Sequence, residues 1–157
     1  MIYRHIYFYI TLVDLARYDS LEIRRMMSGN DINFARIGQQ KTAVFIKVSD
    51  TDRSNDLLIN LFYTQMMNEL CTYADEKCKN SRLPVPVTFI LDDFATNARI
   101  NGFQNIISNI RSRGISTMIF LQSEAQLKAG YGEDGQTIID NCGAYIWADQ
   151  TLHRLKV

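Results

Sequence analysis

The feature that most constrains this chain of 157 residues is an alternation of two kinds of apolar pattern. Short apolar runs of strand length take turns with longer segments whose apolar residues recur every three or four positions. Ala43-Val44-Phe45-Ile46-Lys47-Val48 is a nearly continuous apolar run, the pattern of a strand buried on both faces. A polar loop, Ser49 to Asn55, follows it. Leu58, Leu61, Phe62, Gln65, Met66, Glu69, Leu70 and Tyr73 then share one helical face, and Ser81-Arg82-Leu83-Pro84-Val85-Pro86 breaks that helix. Val87 to Leu91 predicts a second strand, and Phe103, Ile106, Ile107 and Ile110 a second helix closed at Gly114. Ile115 to Leu121 predicts a third strand. Residues 124–141 read as helical, interrupted by Gly130-Tyr131-Gly132, and Ala144-Tyr145-Ile146-Trp147 predicts a fourth strand. Strands alternating with helices are the signature of parallel crossover units, right-handed where they close on one sheet. The fold expected is therefore α/β, three-layered, with a mostly parallel sheet and crossover helices.

Residues 1–30 break from this pattern. They are rich in Tyr, Arg and Met, with a helix predicted from Leu15 to Met27 and a stop at Ser28-Gly29-Asn30. They read as the tail of an upstream or helical subdomain, and residues 31–157 as the main domain. The apolar stretch Ile6 to Val13 is too short for a bilayer, which takes about 20 residues. Seventeen basic residues balance seventeen acidic ones, so the chain as a whole is no electrostatic magnet for nucleic acid, and any such contact must be a local patch. Cys71, Cys78 and Cys142 form no CxxC pair and read as reduced thiols. His5 and His153 sit near opposite ends of the chain without a recognisable partner and read as structural or surface residues.

Parallel sheets carry their functional groups beyond the carboxyl ends of the strands. There the second strand runs into Asp92-Asp93. Adjacent carboxylates after an apolar run repel each other and need a cation or solvent. In nucleoside triphosphatases such acids hold magnesium and polarise the attacking water; otherwise one caps a helix and the other is solvated. The third strand ends in Leu121-Gln122-Ser123. Ser123 with Gln126 makes an S-x-x-Q capping box, which leaves the Gln122 amide free for a phosphate or a water. Arg111 and Arg113 close the helix before that strand. Either would be favoured there by the helix dipole or could reach a phosphate on a neighbouring subunit, and spacing does not choose between them. Gly38-Gln39-Gln40-Lys41-Thr42 fails as a phosphate loop, since Ala35 and Gln40 stand at its two glycine positions and a strand is predicted to follow. It reads as a turn.

Several phrases in order resemble the TraG/TraD-like conjugative coupling ATPases of type IV secretion, over residues 32–147. They are Lys41-Thr42-Ala43-Val44-Phe45, Asp50-Thr51-Asp52, Leu61-Phe62-Tyr63-Thr64-Gln65, Arg82-Leu83-Pro84-Val85, Ile90-Leu91-Asp92-Asp93-Phe94-Ala95, Ile110-Arg111-Ser112-Arg113, Leu121-Gln122-Ser123 with Gln126-Leu127, and Ile138-Ile139-Asp140-Asn141-Cys142. The resemblance implies the C-terminal part of a RecA-like P-loop ATPase domain, with ATP and Mg2+ as cofactors. It implies a homo-hexamer at the cytoplasmic face of the inner membrane, linking the DNA–relaxase complex to a type IV secretion channel. Asp92 falls on the family's Walker B aspartate, a metal position; Asp93 falls where the family usually has glutamate; Arg111 falls on its arginine finger and Gln122 on its sensor glutamine, which would also touch the nucleotide. Asp93 is one methylene shorter than glutamate, and a displacement of about 1 Å can cost roughly 100-fold in rate. The phosphate loop and the membrane anchor are expected upstream of Met1, so no ATP hydrolysis is expected of the chain alone.

Two other readings compete. One is a catalytically inactive binding or assembly module, a truncated paralogue that joins a hexamer. The other is a receiver-like signalling domain, which also places paired acids after a strand but needs a lysine at a later strand end, where Gln122 and Ala148-Asp149 stand. Contact with DNA would fall to Arg99, Arg111, Arg113 and Lys128, against the plainer view of a solvated face.

Overall fold

The structure, a computed structural model, describes residues 21–29, 32–49, 53, 55–95, 99–148 and 155–156. The chain divides into two compact units, Met1–Asn33 and Phe34–Val157. In the first, helix α1 spans Leu21–Met27, and Ser28 closes it by donating its N–H to the Arg25 carbonyl at 3.3 Å. The rest of the helix predicted from Leu15, the run Ile6 to Val13, and both histidines lie outside the described residues.

The second unit is α/β. Helix α2 spans Asp56–Lys77, strand β1 Val87–Leu91, helix α3 Phe103–Ile110, strand β2 Ile115–Ile119, helix α4 Glu124–Tyr131 and helix α5 Asp134–Asp140. β1 and β2 pair in parallel, with Val87 opposite Ile115 and Leu91 opposite Ile119. This β1–α3–β2 crossover is the predicted one. α3 tightens into a 3-10 turn at Arg111–Arg113, and Gly114 stops it at φ 79°, a left-handed geometry that glycine adopts without steric cost. Met66, Met67, Leu70 and Ala74 of α2 join Phe89 and Leu91, Phe103, Ile107 and Ile110, Ile115, Leu127, Tyr131 and Ile138 in one buried cluster. The buried stripe of α2 is thus turned from the face predicted, since Leu61 and Gln65 are exposed.

Two predicted strands are corrected. Residues 41–49 form no strand, and Phe45 is 95% exposed. Hydrophobicity and length favoured a strand there, but a strand exists only through a ladder partner, and the described part of β1 pairs with β2 alone. At the other end, Ala144-Tyr145-Ile146 is irregular. The strand is the short β3, Trp147–Ala148, and it pairs antiparallel with β4, Leu155–Lys156, rather than joining the parallel sheet. Among the described residues the parallel sheet therefore has two strands. One of its faces is buried; the other carries Thr88, Ile90, Ser116 and Met118 exposed, with Ile90 at 67% and Met118 at 51%. The segment read as a turn around Gly38 is the end of a 3-10 helix, Phe34–Gly38, packed so tightly that a β-carbon at Gly38 would stand 2.8 Å from Leu83 Cδ2.

Among the described residues, no helix is long and apolar enough to cross a membrane. Cys71, Cys78 and Cys142 are free thiols, and burial pushes the Cys71 and Cys142 thiols up from their ordinary pKa.

Candidate functional site at the strand ends

β1 and β2 end side by side because they are parallel and in register, so whatever follows each strand is delivered to one edge. Phe120 extends the pairing by donating its N–H to the Leu91 carbonyl at 3.0 Å, and Phe94 closes it by donating to the Phe120 carbonyl at 3.2 Å. Asp92 and Asp93 are held in the tight turn between these bonds. The Asp93 N–H donates to Asp92 Oδ1 at 3.1 Å, and Asp93 sits at φ 46°. A left-handed conformation is costly for most side chains but accessible to aspartate. It bends the chain so that both carboxylates stay exposed at the strand end.

Gln122 meets this turn from β2. Its Nε2 donates to Asp93 Oδ1 at 3.2 Å, and its Oε1 accepts from Gln126 Nε2 at 3.3 Å. The amide is thus oriented from both sides. Ser123 caps α4 as predicted, its side chain accepting from the Gln126 N–H at 3.4 Å. The second arm of the capping box, Gln126 Oε1 accepting from the Ser123 N–H, is not formed; the Gln126 side chain turns instead to donate its Nε2 to Gln122. Sequence reasoning placed Asp93 and Gln122 at neighbouring strand ends, and the structure brings them into hydrogen-bond contact.

The acid pair lines a cleft of about 450 Å³ together with Lys47, Tyr63 and Ile100. Among the described residues no group of three or more His, Cys, Asp or Glu side chains gathers to hold a metal. Two adjacent exposed carboxylates match the donor set of magnesium, which takes one or two protein carboxylates and fills its shell with water and phosphate.

Arg111 does not join these groups. It stands exposed on the 3-10 turn before β2, at the opposite end of the sheet. Its neighbour Arg113 is taken up by the fold. Arg113 Nε donates to Asp75 Oδ1 and Oδ2 at 3.0 Å each, Nη2 donates to Oδ2 at 2.7 Å, and Nη1 donates to the Asn109 carbonyl at 2.9 Å. The bond to Asp75 raises the pKa of the guanidinium. Arg113 therefore locks α2 to the turn, and Arg111 is the arginine left open to a partner.

A feature missed in the sequence supports the acid turn from behind. Tyr131, read as part of an interruption, is the last residue of α4 and is 3% exposed. Its ring stacks on Phe94 with centroids 5.0 Å apart and 9° between planes, and its hydroxyl oxygen accepts from the Ile100 N–H at 3.1 Å. Arg99 lies 5.1 Å from the ring centroid and 3.7 Å from Asp134. Burial pushes the Tyr131 pKa up to about 12 against the lowering effects of the Ile100 bond and Arg99. The one sequence signal was an aromatic residue directly before a helix-stopping glycine. Of the cations considered for DNA, Arg99 and Arg113 thus have internal partners, and Lys128 lines a separate cleft between α4 and α5.

No curated protein and no solved structure matches the chain. Residues 86–153, from the start of β1 through α5 and beyond, match the family model described as the TraM recognition site of TraD and TraG. Over that stretch, the likeness to TraG/TraD-like conjugative coupling proteins read from the sequence is shown.

Proposed function

We propose that residues 34–157 work as the hydrolysis edge of an ATP-driven conjugative coupling motor with a RecA-like, three-layer core. In this reading Asp92 contributes to holding the Mg2+ of a bound ATP, and Asp93 polarises the attacking water. Gln122, oriented by Gln126, contacts the terminal phosphate, and Arg111 reaches the nucleotide of a neighbouring subunit in a homo-hexamer. Bound Mg2+ would neutralise phosphate charge. The chain's own residues orient the water and the phosphate, which is where preorganised groups have most effect. The motor would stand at the cytoplasmic face of the inner membrane, held there by a segment other than these residues. It would link a DNA–relaxase complex to a type IV secretion channel, with a relaxosome protein of the TraM type as the direct partner of the matched stretch.

The observation that carries this reading is the 3.2 Å contact between Gln122 and Asp93 across the ends of two parallel strands. Mn2+ as a paramagnetic stand-in for Mg2+ tests it. The amide signals of Asp92, Asp93 and Gln122 should broaden first, and Asp92→Asn should weaken the effect at least tenfold. Broadening centred elsewhere, or unchanged in Asp92→Asn, would overturn the metal role. The chain has no G-x-x-x-x-G-K-[ST] loop, so purified protein should turn over no ATP. Turnover abolished by Asp92→Ala would show that the cradle is not needed.

The open sheet face, with Ile90 and Met118 exposed, favours a second reading as an assembly module without catalysis. A mass by size-exclusion chromatography that rises on mixing with an intact coupling protein, with no effect of Asp92→Asn on DNA transfer, would favour that reading.

A further inference from the structure

One peptide unit beside the acid turn is held by side chains on both of its edges. Asn60 of α2 donates through its Nδ2 to the Arg99 carbonyl. The next residue, Ile100, donates its N–H to the Tyr131 hydroxyl oxygen of α4 at 3.1 Å. That carbonyl and that N–H belong to the same peptide plane, so two helices grip opposite edges of one rigid group. The Asn60 amide is itself set. Its Oδ1 accepts from Thr64 Oγ1, one turn on, at 3.2 Å, which leaves Nδ2 to face the carbonyl. The Arg99 side chain adds a third hold, through the Tyr131 ring and Asp134 of α5.

Three observations mark this clasp as more than loop packing. Asparagine is a poor residue for a helix interior, because its side chain competes with the backbone. Position 60 nonetheless carries one inside α2, and its amide donates to a segment outside the helix. Next, Ile100 is 2% exposed and lines the same cleft as Asp92 and Asp93, so the clasped peptide belongs to that cleft's wall. Finally, the contacts run on to the acids without a gap. Tyr131 stacks on Phe94, which directly follows Asp93 and closes the turn by donating to the Phe120 carbonyl, and Asp93 meets Gln122.

We propose that Asn60 is a positioning residue: by fixing the Arg99–Ile100 peptide against Tyr131, it sets where the Asp92–Asp93 turn stands relative to Gln122. Without the Asn60 donor the Arg99 carbonyl turns toward solvent, and the rigid peptide carries the Ile100 N–H with it. The Tyr131 hydroxyl then loses its partner, and the ring is free to tilt. A tilt shifts Phe94, the residue that closes the acid turn. Asn60 touches neither acid, so its effect is one of placement. The consequence for metal rests on the reading of the acid pair given above, in which both carboxylates serve one ion and its waters. Groups that orient such carboxylates from behind tune the affinity of the ion they hold.

The test uses the full chain, first without metal. Asn60→Ala should shift the Asp93 backbone and Gln122 side-chain amide resonances. It should also speed hydrogen exchange at the Ile100 N–H, a group that Asn60 does not touch. Asn60→Leu has the branching of asparagine and is a better helix former, so it should do the same and stands in if the alanine variant folds poorly. Arg113→Ala, which frees α2 from the turn before β2, should leave these signals in place; equal shifts there would mean general loosening and sink the proposal. Mn2+ is then added and broadening is read at Asp92. Asn60→Ala and Tyr131→Phe should each weaken its binding about threefold. Because both act through one peptide, the double variant should be little weaker than either, whereas independent effects would multiply to about ninefold. Unmoved Asp93 and Gln122 resonances in both Asn60 variants, or a ninefold loss in the double variant, would overturn the clasp. If the wild type itself shows no broadening, the metal reading fails, and the metal-free resonances decide the clasp alone.

Discussion

Two stretches of nearly the same apolar content meet different fates in this protein. Val87–Leu91 is a strand with Phe89 7% exposed; Ala43 to Val48 is irregular, with Phe45 95% exposed. What separates them is the company they keep. Val87–Leu91 is followed by α3, which places β2 alongside in parallel and packs Phe103, Ile107 and Ile110 into the shared core. The run at 43–48 has the composition of a strand without a ladder among the described residues. Backbone groups need partners, and a run of β-prone residues meets that need only where the topology brings one.

The sharpest way to break this comparison is to truncate the same residue type in both places. Phe89→Ala removes a ring from the core and should lower stability by about 3–5 kcal/mol. Phe45→Ala should change it by less than about 0.5 kcal/mol. Urea unfolding followed by tryptophan fluorescence and circular dichroism would measure both. Equal losses would mean that the run at 43–48 packs in solution as the sequence pattern suggested.

The next effect concerns the aromatic support of the acid turn and is read in pH. Burial raises the folded-state pKa of Tyr131 from about 10 to about 12. A group whose pKa is raised by folding contributes stability that is fully present below its unfolded value and lost as pH rises through the folded value. Stability should therefore hold to about pH 10 and fall by about 2 kcal/mol toward pH 12 on account of this group. In Tyr131→Phe that alkaline decline should flatten, while stability at neutral pH drops by about 1 kcal/mol through the lost bond to Ile100. An unchanged alkaline slope would show that Tyr131 ionises freely.

These contrasts show what was legible in the sequence. The β1–α3–β2 unit was readable because its signals agree: an apolar run, a 3.6-residue period, a glycine stop and a second apolar run. Asp93 beside Gln122 followed from that unit alone, because parallel strands in register deliver their ends together. The role of Arg113 was not readable, since its partner Asp75 lies 38 residues away in sequence. Tyr131 was hidden by its two flanking glycines, which suggested a break where the helix in fact ends on a core residue. The sequence overstated 43–48 and 144–147 for one reason: periodicity reports what a strand would bury, and pairing partners are set elsewhere in the chain.

A smaller effect tests whether Gly114 both stops α3 and seats the Arg82 side chain. Its φ of 79° makes any side chain strained, and a β-carbon would press on Arg82. Gly114→Ala should cost about 1–2 kcal/mol from the backbone alone. Because the Arg82 side chain is flexible and exposed, it should yield rather than add to that loss. A loss in urea unfolding well above that range would show that Arg82 is held against the glycine instead of yielding.

The smallest effect lies in the Arg113–Asp75 pair, whose side chains are 24% and 41% exposed. Three short bonds to one carboxylate give it better geometry than most surface pairs, yet solvent screens it, so a double-mutant cycle with Arg113→Ala and Asp75→Ala should give a coupling of about 0.5–1 kcal/mol. Asp75→Ala leaves Arg113 held by the Asn109 carbonyl alone, so its Nε–Hε proton should exchange with solvent faster than in the wild type. If that exchange rate is unchanged in the variant, the orientation of Arg113 is fixed by the Asn109 carbonyl and the turn, rather than by the ion pair.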